Sequence, residues 1–326
     1  MRGVRFWGCE RQSGWMDVRA DEHPGSTPPS IVLAGRRSPA TLKAAVGRGE
    51  LARVRRGAYS ARTGEVGAGR LARREALARI GAVHAQLAIP LVFSHESAAL
   101  LWGLDAIRLS GRTHIVQSSR PSPRNDRMLA RHVMTLPPDQ RTTVHGLPVT
   151  TLARTVLDCA RTLPGDAALV IADCAARSGL DLEAVHRLLP AARGARGIVA
   201  ARDLLAMVDA GAATPGESMT RWALLDAGLP RPATQVEVPT RLGCFALDLG
   251  WSDHRVGVEF DGVVKYSGAF GRTGTEALVA EKRRQDALEE IGWRLLRVTW
   301  QDLRDGPALA ARARTLLRTA REFGTR

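Results

Sequence analysis

Apolar and polar positions along the chain change period several times, and each change marks an element. Phe245 to Leu249 and Val256 to Phe260 are short apolar, β-branched runs flanking a polar stretch centred between Asp253 and His254, which predicts a β-hairpin. Upstream, Thr214 caps a helical pattern running through Trp222 and Leu225 to Gly228, and Thr234 to Val238 predicts a strand. Downstream, Glu276 to Ile291 predicts a second helix and Trp293 to Trp300 a closing strand. The middle reads as consecutive helices: Leu152, Val156, Leu157 and Ala160 at helical spacing, then Ala167 to Arg177, Asp181 to Leu189 and Ile198 to Val208. Gly179, Pro190 and Gly211 punctuate them. Nearer the start, Ile31 to Ala34 reads as the end of a helix, Ser38-Pro39 opens a helix over Ala40 to Val46, and Leu51 to Tyr59 reads as one basic strand. Residues 1–28 show no period and read as a disordered segment, with Met16 an alternative start of translation.

The hairpin places charge where apolar pattern leads one to expect none. A symmetric hairpin sets Gly250 opposite Gly257 and Asp248 opposite Glu259, with Cβ atoms about 4.5–5.5 Å apart. Asp261 follows on the same face, its Cα about 6.6 Å from that of Glu259 along the strand. Facing like charges destabilise a sheet, so folding alone does not ask for this arrangement. A divalent cation does. Mg²⁺, with Mn²⁺ as its substitute, takes oxygen ligands at about 2.0–2.1 Å and leaves positions for water and phosphate. Glu217 with Thr214 fits a Thr-x-x-Glu capping box, which needs no function at all.

Composition changes the picture in one direction. The 326 residues hold 47 Lys+Arg against 33 Asp+Glu, a formal charge of +14, which points to a polyanionic partner and to a chain long enough for more than one domain. The four cysteines, Cys9, Cys159, Cys174 and Cys244, lack C-x-x-C spacing and read as reduced thiols of a cytoplasmic protein. With no apolar run of about 18 residues and no signal-peptide core, no membrane is expected.

The segment 29–65 combines a short helix, a glycine turn and a basic strand, the makings of a winged helix-turn-helix with Thr41 and Lys43 on the helix and Arg53, Arg55 and Arg56 on the wing. Gly49 to Tyr59 resembles the N-terminal winged helix of AbiEi-type antitoxins. Phe93 to Gly103, Thr113 to Gln117 and Gly146 to Asp158 resemble the rest of that module. Those antitoxins repress their own promoters and oppose a nucleotidyltransferase toxin, roles that do not follow from the resemblance of a winged helix. His95 and Glu96, just past Ser94, read as first-turn helix residues with a structural role.

Residues from about 214 to 304 resemble the Vsr-like, PD-(D/E)xK-related nuclease domains. The match rests on Gly216-Glu-Ser, Gly228-Leu-Pro-Arg-Pro, Ala246-Leu-Asp248, Val258-Glu-Phe-Asp-Gly262, Lys265-Tyr266, Glu281-Lys-Arg-Arg, Asp286-Ala-Leu and Gly292 to Val298. That resemblance implies a restriction-endonuclease-like αβββαβ core with Glu217, Asp248, Glu259 and Asp261 at acidic, metal-binding positions. The chain departs from the (D/E)xK pattern by carrying Asp261 where lysine is expected, so Lys265 or Lys282 would supply the catalytic cation. Arg283 and Asp286 read as an i,i+3 structural pair.

The sequence thus predicts an α+β or α/β protein with a winged helix-turn-helix (29–65), a mixed then helical middle (66–212) and a nuclease-like domain with a C-terminal helix (213–326). The expected function is DNA-binding, Mg²⁺- or Mn²⁺-dependent phosphodiester cleavage in repair or defence. The alternative is an antitoxin-like regulator, binding DNA or a toxin, that keeps the nuclease fold without turnover.

Overall fold

The computed structural model describes residues 26–62, 64, 67–119, 126–262 and 274–324, so the segment expected to be disordered lies almost wholly outside the described residues, as do Lys265 and Tyr266. The chain is a mixed α+β protein that divides at 210/211 into two compact units. The predicted winged-helix and helical segments share the first unit.

In the N-terminal unit, β1 (Ile31–Leu33), β3 (Ala58–Ala61) and β2 (Leu51–Arg55) form a three-stranded antiparallel sheet in the order β1-β3-β2. Two expectations change here. Ile31 to Leu33 is a strand, because its β-branched pair Ile31-Val32 ladders onto Ser60 and Tyr59. Leu51 to Tyr59 is two strands, because Gly57 takes φ 75° and turns the chain back after Arg56. Helix α1 (Pro39–Gly47) starts as read, with the Ser38 hydroxyl accepting from the Thr41 N–H and Pro39 in the first turn.

After α2 (Ala68–Gln86) comes a second sheet of β4 (Val92–Phe93), β5 (Thr113–Gln117), β6 (Leu129–Val133), β7 (Arg141–Val144) and β8 (Leu147–Thr150), in the order β6-β5-β4-β8-β7. Of these, β5 matches the Thr113 to Gln117 segment singled out by the AbiEi-like resemblance. The pairs β5/β6 and β4/β8 are parallel. Helix α3 (His95–Leu101) packs on β5, and Ile80, Phe93, Leu101, Ile115 and Val149 fill the core. The expected helices follow as α4 (Leu152–Thr162), α5 (Gly165–Arg177), α6 (Leu182–His186) and α7 (Ile198–Met207); Cys159 and Cys174 are buried among them as small core residues.

The C-terminal unit runs α8 (Pro215–Asp226), β9 (Ala233–Thr240), β10 (Gly243–Trp251), β11 (Val256–Phe260), α9 (Gly274–Glu290), β12 (Arg294–Val298) and α10 (Gly306–Gly324). Its sheet order is β12-β11-β10-β9, an antiparallel meander closed by the parallel pair β11/β12, with β9 at one edge. Leu224, Leu249, Val258, Leu309 and Ala313 pack α8 and α10 on one face; Val236, Leu247, Leu288 and Trp293 pack α9 on the other. Among the described residues, no helix is long and apolar enough to cross a membrane.

Candidate functional site

The hairpin keeps its predicted register only to a point. Gly250 pairs with Gly257, as the symmetric reading required, and the ladder between β10 and β11 reaches Leu249 opposite Val258. There it stops. Leu247 packs with the α9 cluster whereas Leu249, two residues on, packs with the α8/α10 cluster, so the in/out alternation of β10 breaks at Asp248. On β9, Gln235 takes φ 49° beside the break. Asp248 therefore does not sit squarely opposite Glu259; its Oδ2 accepts the Phe260 N–H at 2.7 Å, replacing a ladder bond.

Glu259 is neutralised by a residue the sequence reading passed over. Arg284 of α9 forks onto it, Nη1 donating to Oε2 at 3.1 Å and Nη2 to Oε1, while Nη2 reaches the Ala246 carbonyl at 3.4 Å. The hydrogen bond to Glu259 raises the Arg284 pKa, with the charges of Glu259, Glu281 and Asp248 adding to it against burial. Glu259 thus binds the guanidinium directly, and Asp248 acts on it only through its charge. Arg283 and Asp286 are exposed; the helix-face pairing falls instead to Glu281, which lies 3.6 Å from Arg284 and also binds Arg297.

Glu217 is 5% exposed and completes its cap. Its N–H donates to Thr214 Oγ1 at 3.3 Å, the Thr214 hydroxyl returns to Oε1 at 2.8 Å, and Oε2 accepts from the Ala213 N–H at 2.8 Å and from Gln235 Nε2 at 3.4 Å. The turn that holds it is pressed against β11. A Cβ on Gly216 would lie 2.1 Å from the Phe260 ring, which stands edge-on to Trp300. Gly216→Ala should therefore cost at least about 1–3 kcal/mol through overpacking, read as a lower denaturation midpoint at unchanged m-value. A midpoint equal to wild type would show that Phe260 moves freely.

Asp261 is half-buried, and its N–H continues the β11/β12 pairing to Val298 O at 2.7 Å. Lys282 stands on the exposed side of α9; the cation that reaches Glu259 is Arg284. Among the described residues, no three of Glu217, Asp248, Glu259 and Asp261 bring ligand oxygens within 4.8 Å of one another. The expected convergence gives way to two local satisfactions, Asp248 on a backbone N–H and Glu259 on Arg284.

In the N-terminal unit, Thr41 and Lys43 on α1 and Arg53 and Arg56 on the β2/β3 hairpin are exposed. Arg53 borders a groove of about 870 Å³ also lined by Arg62, Arg74 and Arg79. Arg55 is not part of this exposed set. The β2 register shifts between Arg53 and Arg55, and Arg55 turns to an ion pair with Asp126, its side chain 16% exposed.

The same unit holds a cluster the sequence reading missed. His95 at the start of α3, His114 on β5 and His132 on β6 bring their ring nitrogens within 4.8 Å of one another. Burial, with the charges of His132 and His114 behind it, lowers the His95 pKa to about 2; burial and the charge of His114 lower that of His132 to about 4. Both are neutral at pH 7. Separations of 19 and 18 residues give no short-range motif, and only the pairing of β5 with β6 brings the last two together.

No family model matches the chain. Over 184 residues it is 33% identical to two Mycobacterium tuberculosis proteins described as uncharacterized, MT2308 of strain CDC 1551 and Rv2248 of strain H37Rv. The match covers 56% of this chain and 66% of either relative, so the chain spans just under two thirds of their length.

Proposed function

We propose that the chain is a DNA-associated protein whose C-terminal unit is a restriction-endonuclease-like, divalent-metal-dependent phosphodiesterase. The observation that carries this reading is the element order α8-β9-β10-β11-α9-β12, with Glu259 on the Arg284 guanidinium and the charge of Asp248 acting on the same group. An all-carboxylate donor set suits Mg²⁺ or Mn²⁺, and Asp248, Glu259 and Asp261, which do not converge as they stand, would have to turn toward one another to hold such an ion. When bound, it would lower the pKa of a water and polarise the scissile phosphate. Arg284 orients Glu259 and presents positive charge where a phosphodiester oxygen would gain negative charge. Glu217 serves the fold through its cap, so Glu217→Gln, which keeps the cap acceptor, would leave that service intact.

The test is cleavage of single- and double-stranded DNA with Mg²⁺ or Mn²⁺. Absence of cleavage with either ion, together with no metal-dependent rise in Tm from the carboxylate site, would remove the nuclease reading. One observation favours the second reading, a regulator or antitoxin with a nuclease-like fold: the Arg284 fork already neutralises Glu259 without a metal.

The N-terminal unit, in this reading, is the winged-helix recognition module that resembles AbiEi-type antitoxins, with Thr41, Lys43, Arg53 and Arg56 toward DNA. Arg53→Ala with Arg56→Ala should lower the salt slope of DNA binding by about 2 units, at about 0.9 per lost phosphate contact. Arg55→Ala should leave the slope unchanged and reduce stability instead. A slope that responds to Arg55 and not to the other two would refute this assignment.

A further inference from the structure

His95, His114 and His132 belong to three separate elements, and each is held in a defined orientation. On β5, the His114 N–H of the main chain donates to Ser97 Oγ at 2.8 Å, tying the strand to α3. The His114 ring turns Nδ1 toward His132 Nε2 at 3.2 Å and Nε2 toward Glu96 Oε2 at 3.3 Å and Ser110 Oγ at 3.2 Å. Glu96 is itself fixed, with Oε1 accepting the Ser110 N–H at 3.1 Å. His95 holds its Nδ1 3.0 Å from Ser94 Oγ, and its ring stacks on His132 with centroids 3.9 Å apart, a stack that has to tilt open for both rings to ligate one ion.

We propose that His95, His114 and His132 form a binding site for one borderline divalent transition ion of the zinc class, held by three imidazole nitrogens. Two nitrogens bound at about 2.0–2.1 Å to a tetrahedral ion lie about 3.3–3.4 Å apart, close to the His114–His132 separation of 3.2 Å. Behind His114 stands a buried carboxylate, 4% exposed, placed to receive the proton of the nitrogen that does not ligate.

A second observation is independent of the rings. His95 takes φ 51°, the left-handed region that a non-glycine residue rarely enters, at the first position of a helix. Such strain persists where the surroundings fix a side chain for a purpose. Here the His95 ring lies 3.9 Å from that of His132 and 5.3 Å from that of His114, centroid to centroid. Three nitrogens leave a fourth position on the ion for water or an outside ligand. Mg²⁺ does not suit this donor set, because it takes oxygen and keeps its waters. The site is thus chemically distinct from the carboxylates of the C-terminal unit and does not rest on the nuclease reading.

The experiment uses the full chain without a polyhistidine tag, stripped with a chelator and titrated with Co²⁺, with Zn²⁺ as competitor and Mg²⁺ as control. The expected result is the intense visible absorption of a four-coordinate ion, saturating at one Co²⁺ per chain, displaced by Zn²⁺ and not by Mg²⁺, and a metal-dependent rise in Tm. His132→Gln and His114→Gln, both at partly exposed positions, should abolish the absorption while circular dichroism shows them folded. Glu96→Gln should weaken binding about 10–100-fold and keep the absorption, since it changes the partner of a ligand and not a ligand. Asp248→Asn should leave the visible Co²⁺ absorption unchanged. Failure of the wild-type chain to bind one Co²⁺ would overturn the proposal, leaving a hydrogen-bonded histidine stack. Absorption that survives both histidine changes, or disappears with Asp248→Asn, would overturn it equally.

Discussion

Asp248→Asn should lower divalent-metal-dependent DNA cleavage by at least about 100-fold while leaving the C-terminal unit folded. The expected loss is the size found when one preorganised electrostatic group is removed from an active site, about 10²–10³ in rate. Asparagine is the informative replacement because its carbonyl oxygen can still accept the Phe260 N–H that Asp248 holds at 2.7 Å. Alanine would strand that N–H where β10 leaves β11, at a cost on the order of 1 kcal/mol, and would mix folding with chemistry. Wild-type cleavage rates in Asp248→Asn at an unchanged metal requirement would take Asp248 out of the site.

The largest stability effect is expected in the N-terminal unit. Asp158 is 1% exposed and depends on Arg154, whose Nε donates to its Oδ2 at 2.9 Å; Arg161 stands farther off at 3.7 Å. Arg154 also donates to Gln140 Oε1 at 2.6 Å. Burial raises the Asp158 carboxyl above its ordinary pKa even though both arginines pull it down. Arg154→Ala should therefore cost about 3–5 kcal/mol by leaving a buried charge without its main partner. Replacing Arg154 and Asp158 together with leucine should recover most of it. The penalty should shrink in acid. A carboxyl with a raised folded pKa loses stability as pH climbs from its unfolded to its folded value, so protonating Asp158 removes the cost. Urea unfolding of the three proteins at two pH values decides this; a single-variant loss below about 1 kcal/mol would show Asp158 already neutral.

The contrast between these two sites shows what could be read in advance. Ser38 before Pro39, Thr214 three residues before Glu217, and the paired glycines at 250 and 257 act over a few residues, and each behaves in the structure as its local chemistry requires. Asp248 was legible as an unexpected charge in an apolar strand. Its bond to Phe260 was not, because the break in β10 is set by packing on both faces of the sheet. Arg284 escaped for a similar reason: choosing it over Lys282 or Arg283 depends on which side of α9 meets β11. The histidine cluster lay farthest from view. Ring nitrogens on α3, β5 and β6 meet only after two parallel strands pair, and strands as short as β4 have too few residues to show a period.

The edge of the C-terminal sheet limits how this unit can meet another chain. Strand addition needs a row of unpaired N–H and C=O groups, and β9 offers an interrupted one. Pro239, opposite Cys244, has no N–H to give, and the exposed Glu237 sets a charge two residues before it. A polypeptide seeking to extend the sheet from this side would lose a donor and meet a carboxylate. The same features protect the edge from pairing with a second copy of itself during folding.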